Sequence, residues 1–240
     1  MDPTILEVGR MDPRHALALF DLDGTLVRRR TSFSDAVTAL CLEHGFGVEI
    51  RAWMLSELAD RANADDFVRL GHEYALDGGA QLWREFVDRM ADAVTCDPAV
   101  LQGLEQLRAD DWRIGIVANG ASDVQRAKIG ATGLAGLIDG VAVSGDIDVR
   151  KPDTRLFALA AARCRTPLSP AAWMTGNSPT ADVGGGHRAG IHTIWVRGHR
   201  WPDGFPAPFH TVDGVTDAIS YLLRDGCRHR EGGGREPGNR

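Results

Sequence analysis

Five uninterrupted apolar residues, Ala16-Leu17-Ala18-Leu19-Phe20, run directly into Asp21-Leu22-Asp23-Gly24-Thr25-Leu26. A strand that is apolar at every position has both faces covered, as in a parallel sheet sandwiched between helices. The acidic, glycine-bearing segment behind it reads as a turn at the strand's carboxyl end. Working outward, Trp112–Val117, Gly140–Val143, Ala171–Met174 and Ile191–Val196 are further candidate strands. Helical spacing separates them. After Asp97-Pro98, an N-cap with a first-turn proline, Val100, Leu101, Leu104 and Leu107 fall on one face. Strands alternating with helices predict an α/β fold with a doubly wound, Rossmann-like parallel sheet.

The alternation breaks between residues 29 and 95. Phe33, Ala36, Val37, Leu40 and Cys41 follow helical spacing, as do Trp83, Phe86, Val87, Met90, Ala91 and Val94. Ala52, Leu55, Leu58, Ala59 and Ala62 form a weaker third stripe, and no strand is evident. The expected organisation is an α/β core over residues 1–28 and 96–225, an inserted all-helical cap domain over 29–95, and a glycine-rich, charged tail over 226–240 that is expected to be disordered.

Composition narrows the function classes. A chain of 240 residues can bury a sizeable core without disulfide or structural-metal staples. Its 27 basic and 33 acidic residues give a net charge of −6, which argues against a nucleic-acid partner while leaving room for a small anionic substrate. Cys41, Cys96, Cys164 and Cys227 are scattered, with no metal-like spacing. Asp2 and Glu7 stand where a signal peptide would be basic and then apolar, and no run approaches a membrane span. The expected location is the cytoplasm. Only Lys128 and Lys151 are lysines; every other basic residue is arginine. The histidines show no metal-site spacing, and Arg28-Arg29-Arg30 reads equally as a substrate entrance or a solvated hinge.

Ligands of a parallel α/β sheet bind beyond the carboxyl ends of its strands, so Asp21 and Asp23 face that crevice together. Two carboxylates so placed suit covalent phosphoryl transfer. One attacks phosphorus, and the other gives a proton to the leaving oxygen and later takes one from water. A divalent cation would hold the anionic nucleophile against the anionic phosphate. On its own, an Asp-x-Asp-Gly segment is also an ordinary acidic turn.

Asp21–Leu26 resembles the first motif of the haloacid dehalogenase superfamily of hydrolases, in its phosphatase branch with a helical cap. Three further segments match that family in order. Ile114–Gly120 resembles the second motif, a strand followed by Asn119-Gly120, but with Ala118 in place of the usual hydroxyl residue. One hydrogen bond to a charged oxygen would thereby be lost, worth about 1.5–3 kcal/mol. Lys151-Pro152 resembles the third motif, a lysine followed by a proline that fits the start of a helix through Leu156 and Phe157. Met174–Asp182 resembles the fourth, with Asn177 where most members carry aspartate. A neutral oxygen there should weaken metal binding unless Asp182 compensates.

The resemblance implies roles. Asp21 would be the nucleophile and Asp23 the general acid/base, with Lys151 neutralising charge. Gly24, Thr25, Ala118, Asn119, Gly120 and Lys151 would bind phosphate, and Asp21, Asp23, Asn177 and Asp182 would hold Mg²⁺. The expected activity is Mg²⁺-dependent hydrolysis of a small-molecule phosphate monoester through an aspartyl-phosphate. A phosphomutase or a haloacid dehalogenase of the same superfamily remains open. So does a non-catalytic protein keeping the fold, which Ala118 and Asn177 suggest.

Overall fold

The computed structural model describes residues 16–59 and 62–226. The segment before Ala16 and the expected tail from residue 227 onward lie outside the described residues. The sheet is built from β1 (Ala16–Phe20), β4 (Trp112–Ala118), β5 (Gly140–Val143), β6 (Trp173–Gly176), β7 (His192–Val196) and β8 (His210–Val212). β2 (Val27–Arg29) and β3 (Val94–Cys96) stand apart as a two-stranded ribbon. Four helices, α1 (Phe33–Glu43), α2 (Val48–Glu57), α3 (Ala64–Tyr74) and α4 (Gly79–Asp92), lie between β2 and β3. The others are α5 (Pro98–Ala109), α6 (Ser122–Ala131), α7 (Thr154–Arg163), α8 (Gly184–Arg188) and α9 (Val215–Tyr221).

The sheet order is β5-β4-β1-β6-β7-β8, and every pairing is parallel. Counting sheet strands alone, this is the doubly wound order in which the direction of winding reverses beside the first strand. The reversal falls between β1 and β6, so the crevice opens where Asp21 and Asn177 leave their strands.

β1 is buried throughout because helices cover both faces. Ala16, Ala18 and Phe20 join Val100, Leu104 and Leu107 of α5 on one side. Leu17 and Leu19 join Leu156, Phe157 and Ala160 of α7 on the other. The α5 start follows the sequence expectation, with the Asp97 side chain capping Ala99 N and Pro98 in the first turn.

Three local expectations change. α7 starts at Thr154, capped by the Asp153 side chain, so Pro152 precedes the helix. Val94, placed on a helical stripe, instead belongs to β3, where Arg29 pairs with Val94 and Val27 with Cys96. The stripe from Ala52 to Ala62 is not one helix: α2 ends at Glu57 and buries Met54, while α3 begins at Ala64 behind an Asn63–Asp66 capping box.

Phe67, Leu70, Trp83 and Phe86 form the centre of an apolar cluster among the four inserted helices. That cluster continues onto the core through Val124 of α6, and Trp83 Nε1 donates to Asp123 Oδ2 at 2.9 Å. Helix α6 therefore carries the contact between the inserted helices and the sheet.

Candidate active site

Asp21 continues the β1 ladder, its amide donating to Thr175 O at 2.9 Å. The chain then turns sharply at Gly24, whose φ of +78° is the left-handed region. A Cβ on Gly24 would fall 2.3 Å from Asn177 Nδ2, so this glycine also lets the end of β6 approach. The Gly24 amide donates to Val27 O and the Thr25 amide to Leu22 O, closing the turn. Thr25 Oγ1 donates to Asp21 Oδ2 at 3.1 Å. Gly24 and Thr25, expected on the phosphate, thus use these groups to shape the turn and orient Asp21.

Lys151 is 5% exposed and its ammonium faces three acceptors. Nζ lies 2.6 Å from Asp21 Oδ1, 2.6 Å from Val117 O and 2.7 Å from Asp182 Oδ1. Burial alone would lower this ammonium, but the Asp182 and Asp21 carboxylates outweigh it and raise its pKa. Burial pushes the Asp21 carboxyl up to about 6, against the pull of Lys151 and with Asp182 adding to the rise. Asn119 fixes the lysine backbone: its Oδ1 accepts from Lys151 N at 2.8 Å and its Nδ2 donates to Lys151 O at 3.3 Å.

The segment after β4 differs from expectation at Gly120, whose amide donates to Ser144 Oγ at 2.9 Å. Of the residues expected on phosphate there, Asn119 holds Lys151, Gly120 is tied to Ser144, and Ala118 is a buried end of β4.

Asp23 is held from α6. Lys128 Nζ donates to both of its carboxylate oxygens at 2.8 Å, and Gln125 Nε2 donates to Oδ2 at 2.9 Å. Burial alone would raise the Asp23 carboxyl, but the Lys128 charge and the bonds from Lys128 and Gln125 outweigh it and lower the pKa. The two carboxylates of the turn therefore sit in opposite environments. A cavity of about 120 Å³ lies beside Asp23, between core and inserted helices, walled by Phe33, Phe86 and Met90 with Arg29 and Lys128 among its polar groups. Of the three consecutive arginines, Arg29 reaches this cavity.

Among the described residues, no three His, Cys, Asp or Glu side chains converge as a metal site. Other polar groups do approach one another. Asn177 Nδ2 donates to the Asp23 main-chain carbonyl at 3.4 Å, beside the turn that presents the Asp21 carboxylate. A carboxylate, a main-chain carbonyl and a carboxamide are donors suited to a hard divalent cation that keeps part of its water shell. Asp182, expected on the metal, is committed elsewhere. The irregular turn Pro179–Val183 places its carboxylate beneath Gly176, where Oδ1 meets Lys151 and Oδ2 accepts from Ser178 N at 2.8 Å.

The sequence profile of the haloacid dehalogenase-like hydrolases matches residues 18–196, from inside β1 to the end of β7. The chain belongs to this family. A pyrimidine 5'-nucleotidase of Escherichia coli is 29% identical over 196 residues, spanning 81% of this chain and 75% of that one. The crystal structure of a 2-haloacid dehalogenase from Pseudomonas syringae superposes with a TM-score of 0.66 at 25% identity, covering 88% of this chain and 99% of that one. A phosphatase structure of the same superfamily from Thermococcus onnurineus superposes with a TM-score of 0.63 at 24% identity, covering 86% and 97%. As a haloacid dehalogenase-like hydrolase, the chain carries its four motif segments in one crevice.

Lys128 and Gln125 are the site residues that sequence reasoning passed over. Lysine scarcity, which sets Lys128 and Lys151 alike apart from the arginines, is the sequence signal that points to Lys128.

Proposed function

We propose that this chain is a Mg²⁺-dependent phosphatase acting on a small-molecule phosphate monoester. The observation that carries the reading is the pair of carboxylates two residues apart, one aimed by Thr25 and Lys151 and the other held by Lys128 and Gln125. Such a pair supplies one group to attack phosphorus and a second to exchange a proton with the leaving oxygen and with water. Asp21 forms a bond to phosphorus as the ester P–O bond breaks, and Asp23 delivers a proton to the departing alkoxide. Water then attacks the aspartyl-phosphate with Asp23 taking its proton, releasing phosphate and restoring Asp21. Lys151 balances negative charge around Asp21 throughout.

The oxygens of Asp21, the Asp23 carbonyl and Asn177 would hold Mg²⁺. Bound there, the ion would supply positive charge between nucleophile and phosphate. The N-terminus of α6 follows Gly120 and adds its dipole to the same end of the site. The inserted helices cover the Asp23 side and form the wall that the leaving group meets. The likeness to nucleotidases and phosphatases supports ester hydrolysis.

Asn177 favours a second reading, halide displacement from a 2-haloacid. Asp23 argues against it, because a departing halide needs no proton. Purified protein offered both a phosphate-ester panel and a 2-haloacid, with and without Mg²⁺, decides the matter: phosphate release supports the first reading, and halide release alone overturns it.

A further inference from the structure

Lys128 is the residue of this crevice whose presence the ester chemistry does not by itself demand. Its side chain is 7% exposed, and its partner is a carboxylate in the catalytic turn, 105 positions earlier in the chain. Burying an ammonium is costly unless it is paired well, so a bare surface role does not explain its place. The ammonium spans both Asp23 oxygens at 2.8 Å, which fixes the rotation of the carboxylate plane as well as its position.

Gln125, one helical turn earlier and 3% exposed, adds a third bond to Asp23. Its amide orientation follows from its neighbours. Nε2 lies 2.9 Å from Asp23 Oδ2 and 2.8 Å from Asn119 O, both acceptors, so the nitrogen must face them. That orientation leaves Gln125 Oε1 buried without a protein partner among the described residues. An arrangement selected for stability alone would avoid an unmatched buried acceptor. Here the amide is aimed at the acid regardless.

We infer that Lys128 and Gln125 are positioning residues that hold the Asp23 carboxylate in the orientation needed to protonate the leaving group. This inference rests on the phosphatase reading above. It has a signature that a fold-stabilising role lacks. Help to the leaving group matters greatly for an alkyl ester, whose alkoxide is a poor leaving group. It matters little for p-nitrophenyl phosphate, whose nitrophenolate is a stable anion. Positioning of the acid is thus read in the ratio of the two rates.

The test compares kcat and KM for ethyl phosphate and p-nitrophenyl phosphate, with Mg²⁺, in wild type, Lys128→Met, Gln125→Leu, Asp23→Asn and the double variant Asp23→Asn/Lys128→Met. General acid catalysis contributes about 10²–10⁴-fold, so Lys128→Met should lower kcat on ethyl phosphate roughly 10- to 100-fold more than on p-nitrophenyl phosphate. KM should change less than kcat. Gln125→Leu should show the same bias more weakly, and it carries the test if the buried lysine variant does not fold. In the Asp23→Asn background, Lys128→Met should add no further bias, because the group it positions is gone. Equal losses on both esters, or an added bias without Asp23, would overturn the inference. A wild type that hydrolyses neither ester but releases halide would instead defeat the phosphatase reading on which it stands.

Discussion

The side chain of Asn119 grips the backbone of Lys151 at two points, accepting from its amide at 2.8 Å and donating to its carbonyl at 3.3 Å. This ties the end of β4 to the loop before α7 and sets where the ammonium meets Asp21. Asn119→Ala removes both bonds and leaves the chain free to shift. The expected result is a loss of kcat/KM of roughly 10- to 100-fold, since small misplacements of a charged group weaken the transition state strongly. Steady-state kinetics with circular dichroism as a folding control would check it.

Lys151 stands between two buried carboxylates. Lys151→Met leaves Asp21 and Asp182 facing each other without the cation, and breaking a buried pair in this way costs about 3–5 kcal/mol. Urea unfolding should show that loss together with near-complete inactivation. Lys151→Arg should not restore activity, because a planar guanidinium cannot present one compact charge to Asp21, Val117 O and Asp182 at once.

The features legible in the sequence are those that depend on neighbouring residues. The β1 run and its acidic turn are local, and they were readable because a strand covered on both faces has no polar positions. The edge strand β8 is three residues long and follows a proline- and aromatic-rich loop, so no period could develop. α6 turns Val124, Gln125, Lys128 and Ile129 inward together. Two polar residues on an inward face erase the apolar stripe, and their partner Asp23 is more than a hundred residues away. The commitment of Asp182 to Lys151 depends on the irregular turn after Ser178, which spacing alone does not reveal.

Gly24 meets two demands at once. Gly24→Ala would place a Cβ against Asn177 at a left-handed backbone position. The strain of such a residue is on the order of 1–3 kcal/mol, and displacement of Asn177 should weaken Mg²⁺ binding as well. Thermal unfolding and calorimetric Mg²⁺ titration would register the two effects separately.

Asn177→Asp replaces a neutral carboxamide, whose Nδ2 donates to the Asp23 carbonyl, by an anionic carboxylate. Mg²⁺ should bind more tightly, by roughly tenfold for one added charge-assisted contact. Isothermal titration provides the measurement, and unchanged affinity would place Asn177 away from the ion.

Acid stability should report on Asp146, which accepts from Ser122 Oγ at 2.5 Å, from Arg126 at 2.8 and 3.0 Å, from the Val143 amide at 3.0 Å, and from Arg163. Burial alone would raise its carboxyl, but these donors hold it well below the ordinary 3.8. The folded chain therefore releases this proton more readily than the unfolded one. Its stabilisation is fully present above the ordinary value and is lost as pH falls through it toward the lower folded value. The stability gap between wild type and Asp146→Asn should be widest above about pH 5 and narrow progressively below about pH 4. Urea titrations at several pH values would show the trend.

The most direct test of Asp21 as nucleophile is phosphate release by Asp21→Asn, on whichever ester the wild type hydrolyses, with Mg²⁺ present and folding verified. Removing a covalent nucleophile should lower kcat by about a thousandfold or more. The amide keeps the size of the side chain but cannot carry the phosphoryl group. Retention of wild-type turnover in the folded variant would contradict the aspartyl-phosphate route.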